Sequence, residues 1–544
     1  KELLFGGAEY TFYDSAEVVL PREKKYVLTA SGVRQLGAVA RSPEKERLLK
    51  ARKTDINKVR VDQGKGAVYK CTLLSKIICL LVNKVALFDP AGVGVEMEAD
   101  KPGWCDALNG LPALFGSSIN ESVESKRLAL FLLEIFSAHK VSDGLKVRVP
   151  EEVYCFFRKI HELLAGGADG YEYWQHSRRA GEEFRAQTLL GITGREEEMD
   201  IKTLKDFLHL VAEKVTRGLE KAFNKEQGLY YTYFINEVTG YEVLQDREGN
   251  KVTNQQGYPC VRPMSFKQRP LPYFLEGPVH VLRVEKERDK ARKLYQAVKK
   301  SGLYDKKLGM YKVNDDLTGE TGEIGRQNIF PRGWLENESV FLHMEYKYLL
   351  EVLRSGLFEE FFADLPRTLV PFLDPAVYGR SILENSSFIA GSAHPDEKIH
   401  GRGYVSRLTG ASAEFLSMWR FLTAGAKPFF LDQRGELCLE LKPVLPAGFF
   451  TTQQAEVEDY RHGKRRVLSL PAGTFTFNFL GKVLVVYYNP KRKDTFGEAA
   501  AQSKKTVLYQ EGDVCQEITG GIIPSPYAQE IREGKIGKIE LYLD

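Results

Sequence analysis

The chain opens with β-flavoured spacing over Tyr10–Leu20 and then settles into long stretches where apolar residues return every three or four positions, the period of a helix. Tyr69–Phe88 is apolar almost all round and predicts a helix inside a bundle or inner ring. Glu121–His139 predicts a helix beginning after Asn120 as N-cap. Pro150–Ala165, Ile201–Phe223, Leu282–Ser301 and Glu338–Ser355 predict further amphipathic helices. Gly228–Gln256 alternates aromatic and polar residues around Gly and Asn turns, which predicts a hairpin-like insertion. From about Phe429 the period changes to two, and ELCLELKPVL, FTFNFLGKVLVVYYN and KIGKIELYLD read as strands. This divides the chain into a helical region, 1–425, with an inserted segment at about 228–332, and a β domain, 426–544. Helices with long loops and a β tail predict a helical toroid with an accessory β-sandwich.

Composition narrows the function classes. With 544 residues, 43% of them hydrophobic, the chain can bury a large core in more than one domain. Lys76 and Lys84 interrupt the most apolar run, Cys71–Phe88, which predicts a buried helix and no membrane span. The formal charge of +4, from 77 basic and 73 acidic residues, gives no ground for a nucleic-acid partner; the one basic cluster, Arg461–Arg466, reads as a solvated β-turn. Seven scattered cysteines include no CxxC pair, so neither a metal site nor a redox motif is predicted, and a reducing cytoplasm is the expected compartment. The opening KELLFGGAEYTFYD has no basic region followed by an apolar core, so no signal peptide is read.

Three segments carry candidate chemistry. The first, DPAGVGVEMEADKPGWCDALNG, holds Asp89, Glu96, Glu98, Asp100 and Asp106 among glycines. Loop carboxylates are commonly solvated or cap helices. Asp106 stands apart because Trp104 and Cys105 give it a partly apolar setting, which favours the protonated form and suits a general acid. An indole beside a carboxylic acid also suits a sugar ring whose glycosidic oxygen needs a proton. The second segment, GWLENESVFLHMEY, contains Glu336, Asn337 and His343 at the start of an apolar helix, with Glu336 and His343 seven apart, two turns on one face. His343 reads either as a hydrogen-bonded core residue or as an anion ligand near a helix N-terminus. In the third, GRGYVSRLTGASAEF, Thr409 and Gly410 open a helix, and a Thr N-cap and a phosphate cradle are both compatible.

Taken in order, W-x-D-x-x-N (Trp104, Asp106, Asn109), E-N-x-x-x-F-x-H (Glu336, Asn337, Phe341, His343), an L-T-G-x-x-A turn (Leu408, Thr409, Gly410, Ala413) and the strand LDQRGELCLELKPVLP resemble the inverting glycoside phosphorylases of the cellobiose and chitobiose phosphorylase type. The resemblance spans roughly residues 85–450. It implies a mainly α, (α/α)6-barrel fold with a C-terminal β-sandwich. It also implies that Asp106 is the general acid, that Trp104 lines the donor-sugar site, and that His343, Thr409 and Gly410 bind phosphate. Glu336 and Asn337 fall at sugar-binding positions, and Glu384 of LENSSF falls near the sugar. Gly103 stands where the family keeps a further aspartate, and Leu335 where close relatives often carry lysine. The long insertion points to the larger relatives acting on β-glucan oligosaccharides, with β-1,3 linkage favoured. The family's N-terminal β-sandwich, linker helices and first barrel helices, with a phosphate-binding arginine, are expected to lie outside this chain or on another one, so a complete six-hairpin toroid is not expected to close from these residues alone. A homodimer is compatible with the resemblance.

The expected reaction is direct displacement, with inorganic phosphate as co-substrate and no cofactor or metal. Phosphate attacks the anomeric carbon while Asp106 protonates the leaving oxygen, releasing α-glucose 1-phosphate from a β-linked gluco-oligosaccharide. An inverting hydrolase is the nearest competitor, with Glu336 or Glu384 as base to activate water across a gap of about 6.5–9.5 Å. A non-catalytic carbohydrate-binding protein is the competitor from another class.

Overall fold

All but one of the long amphipathic segments fold as single helices. The computed structural model describes residues 2–7, 9–101, 103–405, 409–459 and 465–544. Helix α1, Leu73–Val85, starts where the Thr72 hydroxyl accepts the Ser75 N–H at 3.2 Å. It buries Leu74, Ile78, Leu81, Val82 and Val85, each contributing about 1.5–3 kcal/mol. Leu80 stays exposed, so α1 is a surface helix with one buried stripe and not the enclosed helix its composition predicts. Helix α2, Ile119–Ala138, is preceded by Ser118; Asn120 lies inside its first turn and donates to the Tyr233 hydroxyl at 3.4 Å, so it is not the N-cap.

Helices α3, Glu151–Ala165, α4, Gly170–Gln187, and α5, Ile201–Ala222, follow. α2 packs on α5, and α3 packs on α4. The single helix expected over Leu282–Ser301 is two, α6, Glu276–Val284, and α7, Arg288–Lys300. The Glu285 carboxylate accepts the N–H groups of Lys286 at 2.9 Å and Glu287 at 2.8 Å, which competes with helical bonding and breaks the run. Helix α8 is Leu342–Arg354.

The inserted segment forms a long antiparallel hairpin, β1, Tyr233–Val243, and β2, Val261–Pro270, longer than the alternation up to Gln256 suggested. Two short antiparallel stretches extend its sheet: Ser117–Ser118 pairs with β1, and Val95–Glu96 pairs with Ser117–Ser118. The acid-bearing loop therefore leaves and re-enters the structure through one clasp, Val95↔Ser118 and Glu96↔Ser117.

The chain divides into two units, 1–351 with 364–408, and 352–363 with 409–544. The second contains helix α9, Ala411–Ala424, and a five-stranded sheet in the order β3, Thr474–Phe479; β4, Val483–Tyr488; β7, Lys538–Leu543; β5, Ser503–Gln510; β6, Asp513–Thr519. β4 and β7 run parallel and bury Val485, Tyr487, Ile539 and Leu541 on one face. Smaller sheets accompany it, including the hairpin Ala455–Asp459 with Arg466–Leu470. Residues 461–464 of the basic cluster lie outside the described residues, and Arg465 pairs with Glu458. The architecture is mixed α/β where a mainly α chain was expected, because short strand pairs and the long hairpin fill the loops between helices. Among the described residues no helix is long and apolar enough to cross a membrane.

Candidate functional site

Five carboxylates lie in the glycine-rich stretch before and within the acid loop, and their surroundings separate them. Asp89 is fully buried and accepts from the N–H groups of Ala91, Val93 and Gly94, the Ser117 hydroxyl at 2.6 Å and the Gln268 amide at 2.9 Å. Glu96 is buried and accepts from Trp174 Nε1 at 2.7 Å and Gln35 at 3.0 Å, with Arg178 at 2.8 Å. Glu98 pairs with Lys25, and Asp100 accepts the Ala38 N–H at 2.7 Å. Burial pushes the Glu98 carboxyl up, but the Lys25 and Arg178 charges outweigh it and leave its pKa below the ordinary value. These four hold the base of the loop. Asp106 is exposed, and among the described residues no hydrogen bond or ion pair reaches its carboxylate.

That exposure corrects the partly apolar setting expected for Asp106. Asp106–Leu108 is a single 3-10 turn whose Ala107 and Leu108 face the core, so Asp106 falls on the opposite side. Beneath it Cys105, Ala107, Leu108, Leu111 and Leu114 pack with Tyr233, Leu271, Leu317 and Ile324. Gly325, at φ +128, brings the chain against this turn: a Cβ there would lie 2.5 Å from the Ala107 carbonyl oxygen, so a side chain is excluded. The Arg326 N–H donates to Asn109 Oδ1 at 3.1 Å, fixing the end of the acid motif.

Glu336 joins this floor from a distant part of the chain. Its Oε2 accepts the Ala107 N–H at 3.0 Å and the Cys105 thiol at 3.4 Å, and Gln327 donates to its backbone carbonyl. Burial pushes the Cys105 thiol pKa up, and the Glu336 carboxylate adds to the effect, so the thiol remains a donor. Glu336 is not on the helix of His343, as the spacing of seven suggested. The chain reverses through Trp334–Asn337, with Leu335 and Glu338 at positive φ, then pairs Val340–Phe341 with Phe388–Ile389 before α8 begins. Asn337 is buried, donating to the Phe330 carbonyl at 2.7 Å. Glu338, also buried, pairs with Lys312 at 2.7 Å and with Arg332.

The two motifs meet at Trp104. The Phe341 ring stands edge-on to the indole at 5.7 Å and 84°, and the His343 ring at 6.3 Å and 61°. Lys347 Nζ lies 5.3 Å from the centre of the same ring. Trp104 remains 39% exposed, which leaves it surface to stack on a ligand.

No family model matches this chain, and no curated protein does either. Among solved structures, the GH63 mannosylglycerate hydrolase from Thermus thermophilus in complex with glucose is similar at 12% identity over 67% of this chain and 80% of that one, with a TM-score of 0.26. An uncharacterized conserved protein from the same organism is similar at 12% identity over 66% of this chain and 82% of that one, with a TM-score of 0.25. The same hydrolase in complex with Tris gives 13% identity, 69% and 99% coverage, and a TM-score of 0.23. Likeness at this level defines neither the fold nor the chemistry of either unit.

The remaining expected residues have other surroundings. Glu384 is exposed on a loop, with Arg380 at 4.0 Å. Thr409 and Gly410 belong to the second unit, where the Thr409 hydroxyl accepts the Ala411 N–H at 3.1 Å at the head of α9. Leu408 lies outside the described residues. Among the described residues no cluster of His, Cys, Asp and Glu could hold a metal ion. Gln327, Asn109's partner Arg326, and Lys347 were not singled out from the sequence. Only Lys347 left a signal there, as a lysine four residues after His343 on the same helix.

Proposed function

We propose that this chain cleaves β-linked gluco-oligosaccharides by inverting phosphorolysis, on an (α/α)6-barrel scaffold to which its helix pairs contribute. Asp106 is the general acid, and Trp104 stacks on the donor sugar. His343 binds phosphate. A phosphate oxygen forms the new bond to the anomeric carbon as the glycosidic C–O bond breaks. The bonding pair leaves with the glycosidic oxygen, which takes the proton of Asp106, and inversion gives α-glucose 1-phosphate. The acid is then reprotonated from solvent. β-1,3-Linked oligoglucans are the favoured substrates, and the reaction uses no cofactor and no metal.

One observation carries the reading: two motifs more than two hundred residues apart share one indole, with Asp106 two positions along the chain from it and the only one of five neighbouring carboxylates without a structural partner among the described residues. The engagement of Glu336 with Ala107 and Cys105 favours a supporting role for it over that of a water-activating base.

The test is incubation of the intact protein with inorganic phosphate and a panel of β-linked gluco-oligosaccharides, assaying glucose 1-phosphate. Phosphate-dependent release is expected, and Asp106→Asn should lower kcat by about 10²–10⁴-fold or more. Release of free glucose alone, at any phosphate concentration, would sink the phosphorylase reading and leave a hydrolase. Binding without turnover would leave a carbohydrate-binding protein.

A further inference from the structure

Within the first unit, the segment around Arg22 and Glu23, one face of α4 from Trp174 to Glu183, and the start of β2 at Val261–Pro263 enclose a cavity of about 500 Å³. Small-molecule sites usually measure about 300–1,000 Å³. The walls include no residue of the Trp104–Asp106 loop and none of α8.

The floor of this cavity is held in place. Trp174 and Tyr26 are buried with their rings stacked at 6.4 Å and 14°, and the indole Nε1 donates to Glu96 at 2.7 Å. The Arg22 guanidinium lies 5.3 Å from the centre of the indole ring. It is fixed there by Glu182, which accepts from Nε and Nη2 at 3.2 Å, and by Gln175 Oε1, which accepts from Nη1 at 2.9 Å. A bidentate pair laid over an aromatic ring sets the shape before anything enters, so a ligand meets little ordering cost. The rim is held differently. Arg262 reaches Glu23 only at 3.8 Å and Glu242 only at 3.6 Å, too long for hydrogen bonds. Among the described residues the side chains of Arg262 and Glu23 make no hydrogen bond, and neither does the Gln175 Nε2 amide. Two sets of donors and one acceptor are therefore left for an occupant.

Charge decides what kind of occupant fits. Arg22, Arg179 and Arg262 face Glu23, Glu182 and Glu183 around the cavity, so the six charges cancel. An anion or a cation would enter without a matching countercharge, and an apolar molecule would desolvate the free donors and acceptor without replacing their water. A hydroxyl is donor and acceptor at once and serves both the arginine and amide donors and the carboxylate.

We propose that this cavity binds a neutral, polyhydroxylated ligand of the short-oligosaccharide class, with Arg262, Gln175 and Glu23 reading its hydroxyls. The place and charge class of the site stand without the phosphorolytic reading; a β-linked gluco-oligosaccharide as its occupant rests on that reading.

Hydrogen exchange on the intact wild-type protein, with and without laminaritriose or cellotriose, locates the binding. One of these trimers should slow exchange at residues 22–26 and 174–183, and inorganic phosphate should leave the same amides unchanged. In the double variant Gln175→Ala, Arg262→Ala, loss of two hydrogen bonds should raise the trimer concentration for half-protection roughly 5- to 150-fold. No slowing by either trimer at up to about 10 mM overturns the inference whether or not glucose 1-phosphate is formed. Slowing by phosphate in place of the trimers overturns it as well, as does an unchanged half-protection in the double variant. The wild-type arm does not depend on the variant folding. The product assay reports separately: if a trimer protects these segments but no glucose 1-phosphate appears, the phosphorolytic reading falls and this site stands.

Discussion

Substituting Glu336 by alanine removes the acceptor that ties the acid loop to a segment 229 residues further along the chain. Ala107 has no exposed surface, so its N–H cannot turn to water once the carboxylate is gone. Leaving a buried donor unsatisfied costs about 1–3 kcal/mol, and the buried Cys105 thiol loses its nearer acceptor as well. That free energy is lost locally, in the turn that carries Asp106. Hydrogen exchange at the amides of residues 105–108 should therefore accelerate by roughly 5- to 150-fold, the rate equivalent of that range, while α2 and α5 keep their protection. A displaced acid is also a slower one. A misplacement of about 1 Å costs on the order of 10²-fold, so kcat in Glu336→Ala should fall by about 10- to 100-fold. Glu336→Gln retains an oxygen that can accept the Ala107 N–H and should recover most of both losses. The reasoning is refuted if Glu336→Gln is as inactive as Asp106→Asn while its loop amides stay protected, because that pattern belongs to a catalytic base.

Two further predictions concern stability. Burial holds the Glu345 carboxyl pKa well above its usual value, with only the Tyr311 N–H at 2.9 Å opposing, so the folded state keeps a proton the unfolded chain releases. The stabilisation is complete below the unfolded value near 4.5 and is lost as pH rises towards the folded value, at up to about 1.4 kcal/mol per pH unit. Glu345→Gln should therefore gain thermal midpoint over wild type progressively from pH 5 to 8, and a difference that is flat across that range would count against a neutral Glu345. Arg178→Met should destabilise by about 3–5 kcal/mol, because it strands the buried Glu96 carboxylate. Adding Glu96→Gln should restore part of that loss in denaturant titration. If the double variant is as unstable as the single one, the guanidinium matters for packing and not for charge.

How much of this was legible in the sequence follows the range of the interactions involved. Helices with a continuous apolar stripe, such as α3 and α5, could be read almost to their ends, because periodicity is local. Helix α4 could not, since its YEYWQHSRRAGEEFRAQ face is polar and aromatic and is organised by Glu96 from another segment. The break between α6 and α7 hinged on one side chain, Glu285, folding back on its own backbone. In the site, Trp104 and His343 were visible as motifs. The sorting of five similar carboxylates into four supports and one exposed acid was not, because Lys25, Ala38, Arg178 and Gln268 act on them from elsewhere in the chain. The reversal at Trp334–Asn337, which takes Glu336 off the helix of His343, depends on positive φ values at a leucine and a glutamate that no residue preference announces.

The Glu336–Ala107 bond also bears on the order in which the protein is made. Asp106 is synthesised 230 residues before Glu336. At about 5–20 residues per second, the ribosome needs roughly 12–46 s to reach the residue that fixes the acid loop, and somewhat longer to release it from the exit tunnel. During that interval the nascent chain carries Asp106 on a loop whose base can be held but whose Ala107 N–H still lacks its acceptor. That bond therefore forms late in translation, and a ribosome that stalls between residues 106 and 336 leaves a product holding Trp104 and Asp106 but lacking it.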